Sequence, residues 1–136
     1  MSVTAPKGFL AAGVQAGIKA SGRRDLALVV NTGPTRSCAG VYTSNRFQAA
    51  PVQWSAKVTA NGTLDAIVLN SGGANACTGP DGYADTVQTA HWVADALGTT
   101  ADKVAVASTG LIGVRLPMDL SLIHISEPTR RTPISY

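Results

Sequence analysis

Three short apolar segments, each followed by glycine or small polar residues, constrain the possible folds of this chain most. They cover residues 26–30, 66–69 and 104–107, and they consist of leucine, isoleucine, valine and alanine. Short runs of this kind, bounded by turn residues, are typical of buried β-strands. We therefore predict three core strands, each of which leads directly into a polar or glycine-rich connection.

A different pattern separates the second and third of these strands. Apolar side chains recur there every three or four residues, which places them on one face of a helix. These residues are Tyr83, Val87, Ala90, Ala94 and Leu97. Asp81 and Asp85 favour the amino-terminal end of the helix, and Gly98 is suited to end it. A short helical turn is predicted from Thr100.

The segment "SCAGVYTSNRFQAAPVQWSAKV", residues 37–58, mixes small, apolar and polar residues, and we predict a further strand there with an exposed continuation. Pro51 indicates that pairing in this strand is at an edge or has stopped. The predicted order is strand, strand, strand, helix and strand, which is typical of an α/β domain. A chain of 136 residues is long enough for one such domain with its own core.

The composition excludes several classes of protein. Hydrophobic residues make up 45% of the chain and charged residues 14%, which favours a globular fold over disorder. The net charge of +3 forms no basic patch interleaved with aromatic residues, so we expect no nucleic-acid partner. Because no apolar run could span a membrane and no signal peptide is recognisable, we expect a cytoplasmic protein without a membrane partner.

Two cysteines, Cys38 and Cys77, lie far apart in the sequence, and no histidine stands at metal-ligand spacing from either. We expect both thiols to be reduced and buried, and we predict no metal site. Nothing in the sequence around Cys77 indicates a nucleophile.

The segment "LNSGGANACTG", residues 69–79, is the first candidate for a functional motif. A glycine-rich turn between a strand and a helix can point backbone N–H groups at an anion. The segment matches neither a Walker P-loop nor the GxGxxG fingerprint. A structural turn, in which Asn70 and Asn75 bond to the local backbone, is the interpretation favoured by the residues alone.

The segment "ASTGLIG", residues 107–113, is the second candidate. An oxyanion hole needs two rigidly held donors, and a buried strand supplies that rigidity. Thr109 offers a hydroxyl, and Gly110 offers an N–H that no Cβ shields. The alternative is a strand-to-helix turn with Ser108 or Thr109 as its N-cap, and the spacing leaves both interpretations open.

Together these segments resemble the ornithine acetyltransferase family, the bifunctional glutamate N-acetyltransferases of the cyclic arginine pathway. The resemblance rests on "VTAPKGFLAAGVQAGIK", "DLALVV", "CAGVYTSNRFQAAPV", "AIVLNSGGANACTG" and "VASTGLIGVRLPMD", in family order over nearly all of residues 3–119. One departure is Gly73, where the family commonly carries Asn; we expect little effect, because both residues accept the left-handed conformation. The resemblance implies an α/β fold, a fragment of a stacked-sheet α/β/β/α sandwich of the DmpA and ornithine acetyltransferase type.

The resemblance also implies a chemistry. Members of the family cut themselves at an Ala-Thr bond, and the new amino-terminal Thr is the nucleophile, with its own amine as base. It takes acetyl from N-acetylornithine and passes it to glutamate without metal or coenzyme, and some members also use acetyl-CoA. By resemblance, Thr109 and Gly110 form the oxyanion hole. The intact enzyme is expected to pair its α-chain with its own β-chain in an α2β2 heterotetramer.

The resemblance places the nucleophile, the cleavage site and the substrate-contacting residues beyond Asp119. Residues 1–119 are therefore expected to be a truncated α-chain part that is inactive by itself. Residues 120–136, "LSLIHISEPTRRTPISY", resemble a transposase-type sequencing-library adapter when they are read back into codons, so we expect a foreign tail. His124 and Glu127 are accordingly excluded as a general base.

Two other functions stay open on the sequence. A self-processing DmpA-type aminopeptidase would share the architecture but not the sequence motifs "NSGGANACTG" and "STGLIG". A non-enzymatic anion-binding module built on the turn at Gly72 would bind phosphate or sulfate as an isolated domain, whereas the acetyltransferase hypothesis predicts no such binding.

Overall fold

A four-stranded mixed β-sheet forms the centre of the fold in the computed structural model, which describes residues 2–120. Its strands lie in sequence order across the sheet, and their bounds are β1 Phe9–Val14, β2 Leu26–Asn31, β3 Ala66–Gly73 and β4 Val104–Leu111. The pairs β1–β2 and β2–β3 are antiparallel, and the pair β3–β4 is parallel. The α/β class predicted from the sequence is confirmed.

Two helices and one short turn connect these strands. α1 Ala50–Thr59 precedes β3, and α2 Gly79–Leu97 forms the crossover that the parallel pair β3–β4 requires. The 3-10 turn Ala101–Lys103 leads into β4, where the sequence predicts a helical turn. Gly98 follows α2 in the left-handed conformation with φ 70°, and its N–H donates to the Ala94 carbonyl, which confirms the predicted terminator.

The two faces of the sheet differ in what covers them. Paired residues of neighbouring strands point to the same face, so the register assigns each side chain to a face. The helix face, which packs against α1 and α2, carries Leu26, Leu28, Val30, Ala66, Val68, Val104 and Val106. The open face carries the exposed Thr109 and the partly exposed Ala11, Ala27, Val29, Ile67, Leu69 and Ala107, together with Ala105, which is buried.

α1 lies along the free edge of β4 and satisfies backbone groups there. The Ser55 hydroxyl donates to the Val106 carbonyl at 2.6 Å and accepts from the Val106 N–H at 3.0 Å. The Trp54 indole N–H donates to the Val104 carbonyl at 2.9 Å. Because an unpaired strand edge invites association with other strands, these three bonds protect the first half of β4.

The strand predicted within residues 37–58 is wrong. An irregular connection over residues 38–49 leads into α1, and Pro51 occupies the first turn of that helix, where its missing N–H costs nothing. The side chains that α1 buries beyond its first residue follow spacings of one, three and four, which are those of one helical face. They are Pro51, Trp54, Ser55 and Val58.

The prediction that both cysteines are buried is also wrong. Cys38 is half-buried and Cys77 is exposed, and both are free thiols. Both residues belong to connections outside the sheet, and Cys77 has a φ of 56° in the loop before α2. Within residues 2–120, no helix is long and apolar enough to cross a membrane. The predicted foreign tail, with His124 and Glu127, lies outside the described residues except for its first residue.

Candidate functional site

The two motifs singled out in the sequence meet at one end of the sheet. Ser71 pairs with Thr109 and Gly72 pairs with Gly110 in the parallel ladder of β3 and β4. The turn predicted at residues 70–73 is wrong, because β3 continues to Gly73, and β4 continues past its predicted end at residue 107 to Leu111. The glycines there allow two strands to approach closely; they do not end the strands.

Gly110 has no room for a side chain. A Cβ at this position would lie 2.5 Å from the Gly72 carbonyl carbon and 2.7 Å from the Gly73 nitrogen. The residue also has a φ of 131°, which residues other than glycine rarely adopt. Gly73 pairs with both Thr109 and Leu111, so the regular register is lost at this point.

The Gly110 N–H points away from β3, toward the free edge of the sheet. Backbone groups of alternate residues in a strand lie on the same side, and those of Val106 face α1. The Leu111 carbonyl lies on the opposite side, where it accepts a hydrogen bond from the Ala74 N–H at 2.8 Å. Gly110 therefore presents its N–H at the edge of β4 beyond the contact with Ser55.

Thr109 is exposed on the open face of the sheet, next to Gly110. It lines a cleft of about 520 Å³ that extends across all four strands. The other open-face residues that line this cleft are Gly13, Ala27, Leu69, Ser71 and Ala107. A group bound in the cleft would have direct access to the Thr109 hydroxyl.

Ser108 does not cap a helix. Its hydroxyl donates to the Asn70 side-chain carbonyl at 2.5 Å, and the Asn70 amide donates to the Gly73 carbonyl at 3.0 Å. Because β4 continues through Thr109 to Leu111, the alternative interpretation of Ser108 or Thr109 as an N-cap is wrong. The bond from Asn70 to Gly73 confirms the predicted local role of that asparagine.

Asn75 is the buried centre of the loop between β3 and α2. Its amide donates to the Gly82 carbonyl and to the Thr86 hydroxyl, both at 2.8 Å. Its side-chain oxygen accepts from Thr78 at 2.7 Å, and its backbone carbonyl accepts from the Ala50 N–H at 3.1 Å. These bonds attach the loop to the starts of α1 and α2, so the role of Asn75 is structural.

Asp25 is a buried carboxylate at the margin of the cleft. It accepts hydrogen bonds from the backbone N–H groups of Ala16 at 2.6 Å and Lys19 at 2.8 Å. Burial raises the pKa of Asp25, but the N–H donors of Lys19, Ala16 and Ile18 hold it below its usual value of 3.8. The Asp25 carbonyl also accepts from the Ser71 N–H at 2.8 Å, so this ionised residue fixes the β1–β2 connection beside β3.

Arg115 attaches the chain that leaves β4 to the first turns of α2. Its Nε and Nη2 donate to the two carboxylate oxygens of Asp85 at 2.9 and 2.8 Å, and its Nη1 lies 3.7 Å from Asp81. The hydrogen bonds that the Arg115 guanidinium donates to Asp85 raise its pKa. This clamp was not predicted from the sequence, although two aspartates four residues apart on one helix face are a signal for it.

The comparisons with known proteins agree with one another. Residues 10–132 match the ArgJ family. The arginine biosynthesis bifunctional protein ArgJ of Streptomyces coelicolor is 70% identical over 119 residues, which cover 88% of this chain and 31% of that protein. Its counterpart in Thermobifida fusca is 61% identical over 118 residues, which cover 87% of this chain and 31% of that protein. This chain thus spans 31% of the length of these relatives.

Two solved structures have the same fold as this chain. The ornithine acetyltransferase of Mycobacterium tuberculosis, solved in complex with ornithine, matches with a TM-score of 0.92 and 58% identity over 95% of this chain and 69% of that one. The bifunctional protein argJ of Bacillus halodurans matches with a TM-score of 0.88 and 42% identity, over 93% of this chain and 66% of that one.

Proposed function

Because this chain belongs to the ArgJ family, we propose that residues 1–119 supply part of the acetyl-transfer site of an ornithine acetyltransferase. The observation that carries this proposal is the pair of donors at the end of β4. The Thr109 hydroxyl is accessible on the open face, and the adjacent Gly110 N–H lies at the sheet edge. The enzyme we propose transfers acetyl from N-acetylornithine to glutamate in arginine biosynthesis, with acetyl-CoA as a second donor.

In the proposed reaction, a hydroxyl attacks the acetyl carbonyl carbon of N-acetylornithine, and the C=O electron pair moves to oxygen. Thr109 and Gly110 donate hydrogen bonds to this oxyanion. The C–N bond then breaks, the ornithine amine leaves with the proton taken from the hydroxyl, and an acetyl ester remains. The glutamate amine attacks this ester by the same route, which forms N-acetylglutamate and restores the hydroxyl.

The position of both donors in a strand supports this role. Oxyanion donors are effective when they are held in place before charge develops, because no energy is then spent on reorganisation. Thr109 is paired with Ser71 in the ladder, and the Gly110 backbone is in contact with Gly72. A sheet therefore orients both groups more firmly than a surface loop would.

The remaining parts of the proposal come from the family. We propose that the attacking hydroxyl belongs to an amino-terminal Thr created by self-cleavage, whose own amine is the base. This route needs no metal or coenzyme. We also propose an α2β2 assembly in the cytoplasm, and the ornithine bound to the relative from Mycobacterium tuberculosis supports an ornithine derivative as substrate.

A chimeric protein tests this function. Residues 1–119 would replace the matching segment of the Streptomyces coelicolor relative, and the formation of N-acetylglutamate from N-acetylornithine and glutamate would be measured. Thr109→Ala should lower kcat by about 10²–10³-fold, the usual cost of losing one oxyanion donor, with a much smaller change in KM.

Two matched variants complete this test. Thr109→Ser keeps the hydroxyl and should retain most of the activity, and Thr35→Ala changes an exposed threonine after β2 and should have no effect. The proposal is wrong if the chimera with Thr109→Ala turns over normally. If Thr109→Ser is as inactive as Thr109→Ala, the hydroxyl is not the donor and Thr109 is a packing residue.

A further inference from the structure

We propose that Asn70 and Ser108 are positioning residues that hold the Thr109 and Gly110 donors in place, an inference that rests on the proposed function. The Ser108 hydroxyl donates to the Asn70 carbonyl oxygen at 2.5 Å, and the Asn70 amide donates to the Gly73 carbonyl at 3.0 Å. This Asn70 bridge joins two residues that are 38 positions apart in the sequence.

The Asn70 bridge lies beside the point where the regular ladder of β3 and β4 ends. Regular pairing extends to Gly72, which pairs with Gly110, and Gly73 then pairs with residues on both sides of Gly110, as in a β-bulge. The backbone ladder is therefore irregular directly after the proposed donors. The bridge ties the residue before Thr109 to the carbonyl of Gly73, and it adds side-chain bonds at this point.

The polarity of the helix face supports this assignment. Along this face, two successive pairs of β3 and β4 are apolar: Ala66 with Val104, and Val68 with Val106. The next pair along the ladder on the same face is Asn70 and Ser108. Both are half-buried, so packing alone would favour apolar side chains there as well. The change from apolar to hydrogen-bonding residues occurs one position before the proposed donors.

Each atom of the bridge has a separate role. Ser108 needs only an acceptor, and the Asn70 carbonyl oxygen provides it. Gly73 needs a donor, and the Asn70 amide provides it. Of the common side chains of this size, only asparagine offers one acceptor and one donor group in this arrangement, whereas aspartate at neutral pH has acceptors alone.

The test uses the chimeric enzyme described above. We expect Asn70→Ala and Ser108→Ala each to lower kcat by about tenfold to a hundredfold, because small displacements of catalytic groups have effects of this size. KM should change much less, since the variants remove no substrate contact. Asn70→Asp should be as slow as Asn70→Ala, because it cannot donate to Gly73. Ser108→Thr keeps the hydroxyl in a strand-compatible residue and should restore kcat.

The controls separate this inference from the proposed function. Ser21→Ala, at an exposed turn, should leave kcat unchanged. If Thr109→Ala abolishes turnover but Asn70→Ala does not lower kcat, the bridge does not position the donors and the inference is wrong. If Thr109→Ala itself has no effect, the proposed function fails first. If the bridge only stabilises the fold, Asn70→Ala and Ser108→Ala should lower the unfolding temperature and raise KM as well as lower kcat. Ser108→Thr would then not restore kcat selectively. That outcome also overturns the inference.

Discussion

Gly110 is the residue of the site whose identity its surroundings fix most tightly. Its φ is 131°, and a Cβ at this position would lie only 2.5 Å from the Gly72 carbonyl carbon in β3. Gly110→Ala should therefore destabilise the protein by more than the roughly 1–3 kcal/mol that a strained backbone conformation costs alone. Denaturant-induced unfolding of the wild type and the variant measures this difference.

Gly113 provides the matched control for Gly110. It also has a positive φ, of 83°, but nothing lies within 4 Å of the position its Cβ would occupy. Gly113→Ala should therefore cost only about 1–2 kcal/mol, the strain of the left-handed conformation. Equal losses at the two positions would contradict the close approach of β3 and β4.

Asp25 should make stability depend on pH in acid. Burial raises the pKa of Asp25, but the backbone N–H donors of Lys19, Ala16 and Ile18 together lower it by more. The pKa of Asp25 in the folded protein therefore lies below 3.8. A carboxyl with a depressed folded pKa stabilises the protein above its unfolded pKa, and this stability is lost as the pH falls through the folded value. Asp25→Asn should thus destabilise the protein at neutral pH, and the difference from wild type should shrink in acid.

The measurement for Asp25 is the free energy of unfolding at neutral pH and at a pH below its folded pKa. Asp95→Asn, at an exposed position of α2, is the control and should follow the wild type at both pH values. A difference between Asp25→Asn and wild type that stays constant with pH would show that the ionised carboxylate contributes nothing through its N–H donors.

The residues of the site differ in how far the sequence could identify them. Thr109 and Gly110 are proposed as donors from the strand-then-glycine pattern together with the family resemblance. The Asn70 bridge depends on the register between two strands whose bonded residues are 38 positions apart in the sequence, and no local sequence pattern predicts that register. The reason given for tolerance at Gly73 is wrong: the positive φ belongs to Gly72, and a Cβ on Gly73 would lie 2.6 Å from the Leu116 side chain.

At the scale of elements, one hydroxyl makes two of the three hydrogen bonds between α1 and the edge of β4. Ser55 both donates to and accepts from the backbone of Val106 while it is buried. Ser55→Ala would leave a buried N–H and C=O without partners, and each such group costs about 1–3 kcal/mol. We therefore expect the free energy of unfolding, measured by circular dichroism, to fall by roughly 2–6 kcal/mol.

Gln53→Ala is the control for Ser55 within the same helix. Its side chain is exposed and donates to the Gln48 carbonyl at 2.9 Å. A solvent-exposed bond of this kind changes stability by only about 0.5 kcal/mol or less. If both variants lost the same amount, α1 would not be protecting the β4 edge through Ser55.

The sequence predicted some elements well and others poorly, and the causes are physical. α2 was recognisable because its apolar period, from Tyr83 to Leu97, runs over about four turns and is followed by Gly98. α1 was missed because a proline such as Pro51 is compatible both with a strand edge and with the first turn of a helix. In this chain Pro51 lies in the first turn of α1. The end of β3 was predicted as a turn, and β4 was predicted to stop at residue 107, because glycines that allow a close approach of two strands look the same in the sequence as glycines in turns.

At the scale of the whole molecule, the residues that the structure describes, 2–120, cover the two faces of the sheet to different extents. The helix face holds most of the core, whereas the open face leaves Val29 and Leu69 half-exposed, and Leu69 lines the cleft. A contiguous apolar surface of this kind marks a place where another layer packs. This agrees with the stacked-sheet sandwich implied by the resemblance, and we propose that the rest of the enzyme covers this face.

Two neighbouring residues of β3 provide the test of this arrangement. Val68 lies on the helix face and is 2% exposed, whereas Leu69 lies on the open face. In the 136-residue chain, Leu69→Asn should preserve the helix content and reduce the binding of a hydrophobic dye, because it removes apolar surface that water already reaches. Val68→Asn should unfold the same chain, because it buries an amide without a partner.

The chimeric enzyme should respond differently to the same pair of substitutions. If a second layer covers the open face, both residues are buried there, and Leu69→Asn should also destabilise the enzyme by about 2–5 kcal/mol. Thermal unfolding of the chain and of the chimera, each with both variants, gives the comparison. A chimera that tolerates Leu69→Asn as well as the isolated chain does would mean that the open face stays exposed to water in the intact enzyme. The proposed sandwich would then be wrong, while the contacts of Thr109 and Gly110 within this chain would be unaffected, because they depend on β3 and β4 alone.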